Sequence, residues 1–152
     1  VYKRQGWRMG YGILPEELVP HVVKLAVNSV SCAASFTQMA AVAALEGPRD
    51  EVEAMVAEFA IRRRLIADGL RSIPGINCPE PEGAFYAFPS IKETGLTSAE
   101  FEAKAMNDAG VALLSGSAFG EYGEGYVRLS YANSQDNIKR AIGQLDTMVR
   151  SL

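Results

Sequence analysis

Ile73-Pro74-Gly75-Ile76-Asn77-Cys78-Pro79-Glu80-Pro81-Glu82-Gly83-Ala84-Phe85-Tyr86-Ala87-Phe88 is where the sequence stops reading as helix and starts reading as sheet. Upstream, Val52, Val56, Phe59, Ile66 and Leu70 fall at broadly helical spacing, which predicts a long helix over 48–72 stopped by Ile73-Pro74-Gly75. Inside the stretch, the short runs 76–78 and 84–88 flank a turn-rich Pro-Glu-Pro-Glu-Gly connection, which predicts two strands. Downstream, a helix over 97–109 opens with a capping box, Thr97 with Glu100 three residues on, and closes at Gly110. Strands are predicted at 111–114 and 126–132. The last helix, 134–151, places Ile138, Ile142, Leu145, Val149 and Leu152 on one face. Everything after about residue 48 therefore reads as an α+β module, helices on a small sheet.

The first third reads differently. In Gly6-Trp7-Arg8-Met9-Gly10-Tyr11-Gly12-Ile13-Leu14, Trp7, Met9, Tyr11 and Ile13 alternate with Gly6, Arg8, Gly10 and Gly12, which predicts one strand over 6–14. Pro15 is read as the first-turn proline of a helix carrying Leu18, Val22 and Leu25, with Pro20 near that first turn. A small polar loop follows over 28–35. An alanine-rich helix then runs from about Ala33 to Glu46, stopped by Gly47-Pro48. A lone strand leaves its backbone edges unpaired, so this part does not close its own core.

The chain has 152 residues, 48% hydrophobic and 22% charged, with a net charge of −3. The apolar content excludes a disordered tail, and no apolar run approaches the ~20 residues of a membrane span. The acidic balance argues against a nucleic-acid partner. Two cysteines, Cys32 and Cys78, and one histidine, His21, exclude a disulfide framework and argue against a zinc site, so no metal is expected. No basic segment followed by an apolar one opens the chain, so a cytoplasmic protein is expected.

Two arginines stand in suggestive places. Arg8 has only glycines two residues away on its strand face, Gly6 and Gly10. That arrangement reads either as a recess open to a phosphate or planar ligand, or as a solvated arginine on a closely packed strand. Arg128 shares a face with Tyr126 and Ser130, opposite the apolar face of Val127, Leu129 and Tyr131. It reads either as a bidentate carboxylate ligand or as a solvated strand residue. The glycine-rich stretch 115–125 matches neither the dinucleotide fingerprint nor the P-loop and reads as a flexible connection between strands. His21 has no acid or nucleophile nearby to work with. Arg62-Arg63-Arg64, with Glu53 and Glu58 upstream, reads as a salt-bridged helix face.

Gly6-Trp7-Arg8-Met9-Gly10-Tyr11 resembles the segment that follows the cofactor lysine in class I/II aminotransferases, the pyridoxal-phosphate enzymes of the aspartate aminotransferase fold (fold type I). Residues 38–45, Pro81-Glu82-Gly83-Ala84-Phe85-Tyr86, Gly116-Ser117-Ala118-Phe119-Gly120 and Gly125-Tyr126-Val127-Arg128-Leu129-Ser130 resemble that family's later blocks, in the same order. The resemblance implies an α/β chain in two parts. Residues 1–47 would be the end of the large pyridoxal-phosphate domain (one strand plus two helices). Residues 48–152 would be the long linking helix and the small α+β domain, a short sheet covered by helices.

The same resemblance implies that Arg8 pairs with the phosphate of pyridoxal 5′-phosphate and that Arg128 grips the α-carboxylate of the substrate. The 28–35 loop would lie near a subunit interface, with a homodimer as the expected assembly. The implied reaction transfers an amino group between an amino acid and a 2-oxo acid. The Schiff-base lysine would lie just before Val1, Lys3 does not take its place, and the chain contains no catalytic residue; it is expected to be inactive alone. Lys3-Arg4-Gln5 and Ser115, which stands where a proline is common, depart from the family pattern. Two other readings stand beside this one: a non-catalytic oligomerising remnant of the small domain, and another fold-type-I enzyme, a lyase or decarboxylase, using the same two arginines.

Overall fold

A computed structural model describes residues 8–152 of the chain. It divides into two compact units, the first ending at Glu51 and the second running Val52–Leu152. Among the described residues five α-helices are formed: α1 (Val19–Ser29), α2 (Ser35–Glu46), α3 (Asp50–Arg71), α4 (Ser98–Asn107) and α5 (Gln135–Arg150). Among the same residues three short strands, β1 (Tyr86–Ala87), β2 (Leu114–Ser115) and β3 (Val127–Ser130), make an antiparallel sheet in the order β1-β3-β2. Among the described residues no helix is long and apolar enough to cross a membrane.

In the second unit, α3 ends as expected. Ile76 N–H donates to Ile73 C=O (3.2 Å) across Pro74-Gly75, and Gly75 adopts φ 78°, the left-handed position that a Pro-Gly turn requires. Ile66, Ala67 and Leu70 of α3 pack with Phe101 and Ala105 of α4, Val127 and Leu129 of β3, and Ile138, Leu145 and Met148 of α5. The alternation read in 126–132 is realised: Val127, Leu129 and Tyr131 are buried, and the residues between them are not. The sheet is smaller than expected. The run 76–78 contributes one bridge, Asn77 to Ser90, and 111–114 pairs only from Leu114 onward. Pro89, with no N–H to donate, lies just past β1, between it and the Ser90 bridge.

The helix termini follow local chemistry. The Thr97 hydroxyl accepts from Glu100 N–H (3.3 Å), and the Glu100 carboxylate accepts from Thr97 N–H (2.9 Å) and from the Thr97 hydroxyl (2.7 Å). Those bonds hold the Glu100 carboxyl below the ordinary carboxylate range. Their contribution is complete above that range and is lost as the pH falls through the depressed Glu100 pKa. Thr97→Ala is expected to cost about 0.5–2 kcal/mol, read as a shift in a urea denaturation midpoint.

The first unit departs from expectation in two places. No strand forms over residues 8–14; Gly6 and Trp7 lie outside the described residues. Arg8 adopts φ 56°, which breaks the alternation, and among the described residues no strand runs alongside to satisfy the backbone. The helix also starts later than expected. Pro15 precedes a 3-10 turn, Glu16–Leu18, and α1 opens at Val19 with Pro20 in its first turn. A helix starting at Pro15 would have put the Pro20 ring against the carbonyl of residue 16, whereas in a first turn its missing N–H costs nothing. The helix also continues to Ser29, so the loop shrinks to 30–34. Among the described residues of this unit, α1 buries none, and Leu18, Val22, Leu25, Phe36, Met39 and Leu45 are exposed.

Candidate functional site

β3 is the central strand, and Arg128 lies in its middle, on the face turned away from the core. Its neighbour in β2 is Leu114; in β1, Tyr86 pairs with Ser130 and Ala87 with Leu129. This register brings Tyr86 onto the same outer face as Arg128. A second ring arrives from the glycine-rich connection, where Phe119 ends a 3-10 turn, Gly116–Phe119. The Arg128 Cζ stands 4.3 Å from the centroid of the Tyr86 ring and 4.3 Å from that of Phe119. Among the described residues Arg128 forms no ion pair. A half-buried guanidinium with rings on it and no carboxylate of its own retains its N–H donors for an anion, and a carboxylate matches the planar fork.

The aromatic surface continues past Phe119. Phe88 meets Phe119 edge-on (6.2 Å) and stacks on Tyr126 (5.5 Å, 9° between planes), and the Lys92 ammonium lies 4.8 Å from the Tyr126 centroid. Tyr86 in turn rests on Phe85, whose ring packs against the core (4.4 Å between centroids).

The glycine-rich stretch does connect β2 to β3, and its path is fixed by hydrogen bonds and close packing. Gly116 N–H donates to Tyr126 C=O (2.8 Å), and a Cβ on Gly116 would stand 2.6 Å from that oxygen. Gly116 and Gly123 also meet backbone to backbone, so neither has room for a side chain. The α4 N-terminus holds the far end of the stretch. The buried Ser98 hydroxyl accepts from Gly125 N–H (2.8 Å), and Glu124 accepts from Ser98 N–H (2.9 Å). At the near end, Glu102 accepts from Ser115 N–H (3.0 Å).

Arg8 belongs to the first unit, and Arg128 to the second. Arg8 is exposed and pairs with no described carboxylate. The strand face that would have supplied its glycine floor is not formed over residues 8–14, although space around Gly10 is open. His21 is exposed on α1. Arg62 pairs with Glu58 on the same helix (2.7 Å), as expected, whereas Arg63 reaches beyond the helix to Glu80 (3.2 Å). Bonds from Arg62, and then from Gln135 of α5, hold the Glu58 carboxyl below its ordinary range. Cys32 is exposed and Cys78 buried, both as free thiols, and burial pushes the Cys78 thiol up. No cluster of potential metal ligands exists among the described residues.

Sequence reasoning assigned Tyr86 and Phe119 no role. Both fall within stretches it quoted, but only the strand register and the turn bring their rings to Arg128.

Residues 3–145 match the family described as aminotransferase class I and II. The chain is 42% identical over 144 residues to a probable N-acetyl-LL-diaminopimelate aminotransferase of Bacillus subtilis, covering 95% of this chain and 36% of that protein. It is 38% identical over 143 residues to an aspartate aminotransferase of Pyrococcus horikoshii, covering 93% of this chain and 37% of the relative. Its fold superposes on the crystal structure of an aromatic aminotransferase from Pyrococcus horikoshii with a TM-score of 0.91 at 37% identity, over 97% of this chain and 40% of the other. The chain thus spans just over a third of the length of the curated relatives it matches.

Proposed function

The chain belongs to the class I and II aminotransferases, and from that premise we propose that it serves as the C-terminal part of a longer, pyridoxal-phosphate-dependent aminotransferase. On this reading residues 1–47 complete the large cofactor domain, and residues 48–152 are the linking helix and small domain. The observation that carries the reading is Arg128, a guanidinium on the outer sheet face with rings around it and no carboxylate partner among the described residues. It binds the α-carboxylate of an amino acid or of a 2-oxo acid, the one group that donor and acceptor share. A bidentate grip fixes the orientation of the Cα substituents, which decides which bond reacts.

The residues of this chain fit one corner of the cofactor. Arg8 is exposed, pairs with no described acid, and would hold the phosphate. When bound, pyridoxal phosphate supplies the electron sink for chemistry at Cα. The exposed apolar residues of α1 and α2 support burial against the rest of such an enzyme and against a second subunit, a homodimer.

The test is an assay of amino-group transfer from L-aspartate, L-alanine and L-phenylalanine to 2-oxo acids. The complete protein is expected to form the new amino acid, and the isolated 152-residue chain with added pyridoxal phosphate to form none. Transfer by the isolated chain would overturn the expectation that it is inactive alone. Release of ammonia, sulfide or carbon dioxide by the complete protein in place of transfer would show a lyase or decarboxylase.

A further inference from the structure

We infer that Tyr86 and Phe119 are positioning residues that hold the Arg128 guanidinium ready for a carboxylate; the inference rests on the reading of Arg128 as the α-carboxylate ligand. An arginine on the open face of a strand samples many rotamers, and a planar bidentate grip demands one of them. Freezing that freedom at the moment of binding weakens affinity; freezing it beforehand does not. Rings satisfy this need in a way that an acid would not. An acid would occupy the N–H donors, whereas a ring attracts the cation through its face and takes no strong hydrogen bond.

The placement of the two rings supports this role over a purely structural one. Phe119 is 48% exposed and lies outside the core, on a turn whose path is set by Gly116 on one side and Gly120 (φ 118°) on the other. A ring serving only stability would be drawn inward; this one meets Arg128 and the edge of Phe88. Phe88 is backed in turn by Tyr126, which limits how far Phe119 can swing. Tyr86 is anchored independently, through its strand pairing with Ser130 and the Phe85 ring. Arg128 is therefore gripped by two elements far apart in sequence, β1 and the glycine-rich turn, each with its own support.

The α-carboxylate is common to every donor, so losing one ring has a recognisable signature. In the complete enzyme, Phe119→Leu and Tyr86→Leu are each expected to raise KM by about three- to tenfold, with kcat within about twofold. The rise should be equal for L-aspartate, L-alanine and L-phenylalanine, and Phe119→Tyr and Tyr86→Phe should restore KM. In an Arg128→Leu background either leucine substitution should add nothing. An unchanged KM, a rise confined to one donor, or a failure of the aromatic variants to rescue would overturn the positioning role. If Arg128→Leu itself leaves kcat/KM unchanged, the carboxylate reading fails; if it lowers kcat/KM while both leucine variants match the wild type, only the aromatic clamp fails.

Discussion

Arg128→Leu in the complete protein is expected, on the proposed reading of Arg128 as the α-carboxylate ligand, to lower kcat/KM for amino-acid donors by a factor between about thirty and several thousand, because truncating one partner of a buried, hydrogen-bonded charge pair costs about 2–5 kcal/mol. The upper part of that range applies if the closed active site excludes water around the pair, since the substrate carboxylate is then left without its counter-charge. Part of the loss should fall on kcat, because a donor without its anchor no longer presents its Cα substituents in one orientation. Arg128→Lys keeps the charge but loses the fork and is expected to fall between wild type and Arg128→Leu. Steady-state kinetics with two donors of different side chain check this, the loss being the same for both. A loss specific to one donor would mean that Arg128 reads the side chain instead.

Phe101→Ala should strongly destabilise the second unit. Phe101 is fully buried (0% exposed) on α4, within the cluster formed by α3, the sheet and α5. Removing a core phenylalanine costs about 3–5 kcal/mol, from the lost transfer free energy and the cavity left behind. Tyr122→Ala is the matched control: that ring is 90% exposed on the glycine-rich connection and should change stability by no more than about 0.5 kcal/mol. Urea titration followed by circular dichroism compares the two. Equal midpoints would mean that α4 is not part of the cooperative core.

The elements that read correctly share one property: their determinants lie close together in the chain. The Thr97–Glu100 capping box forms as read because its partners are three residues apart. The β3 alternation holds because successive strand residues point to opposite faces wherever a strand forms. The apolar stripe of α5 is buried at Ile138, Leu145 and Val149 for the same reason at helical period. Residues 8–14 fail as a strand because alternation is necessary but not sufficient; a strand also needs a neighbour, and among the described residues none is there. The position of Pro20 was visible, but which of the two prolines opens the helix depends on where the preceding turn ends.

At the candidate site the division falls between the identity of a residue and its company. Local pattern was enough to turn Arg128 away from the core and to lay helices on a small sheet, and the ordered motifs pointed to the aminotransferase family. That β3 runs between β1 and β2, and that Tyr86 and Phe119 meet over Arg128, each 4.3 Å away, came from the packing of distant segments. Side-chain alternation and capping are settled by bonds spanning a few residues, and any reader of the chain can see them. Register and strand order are settled by burial and backbone pairing between segments tens of residues apart, where many arrangements satisfy the same local pattern and packing selects one.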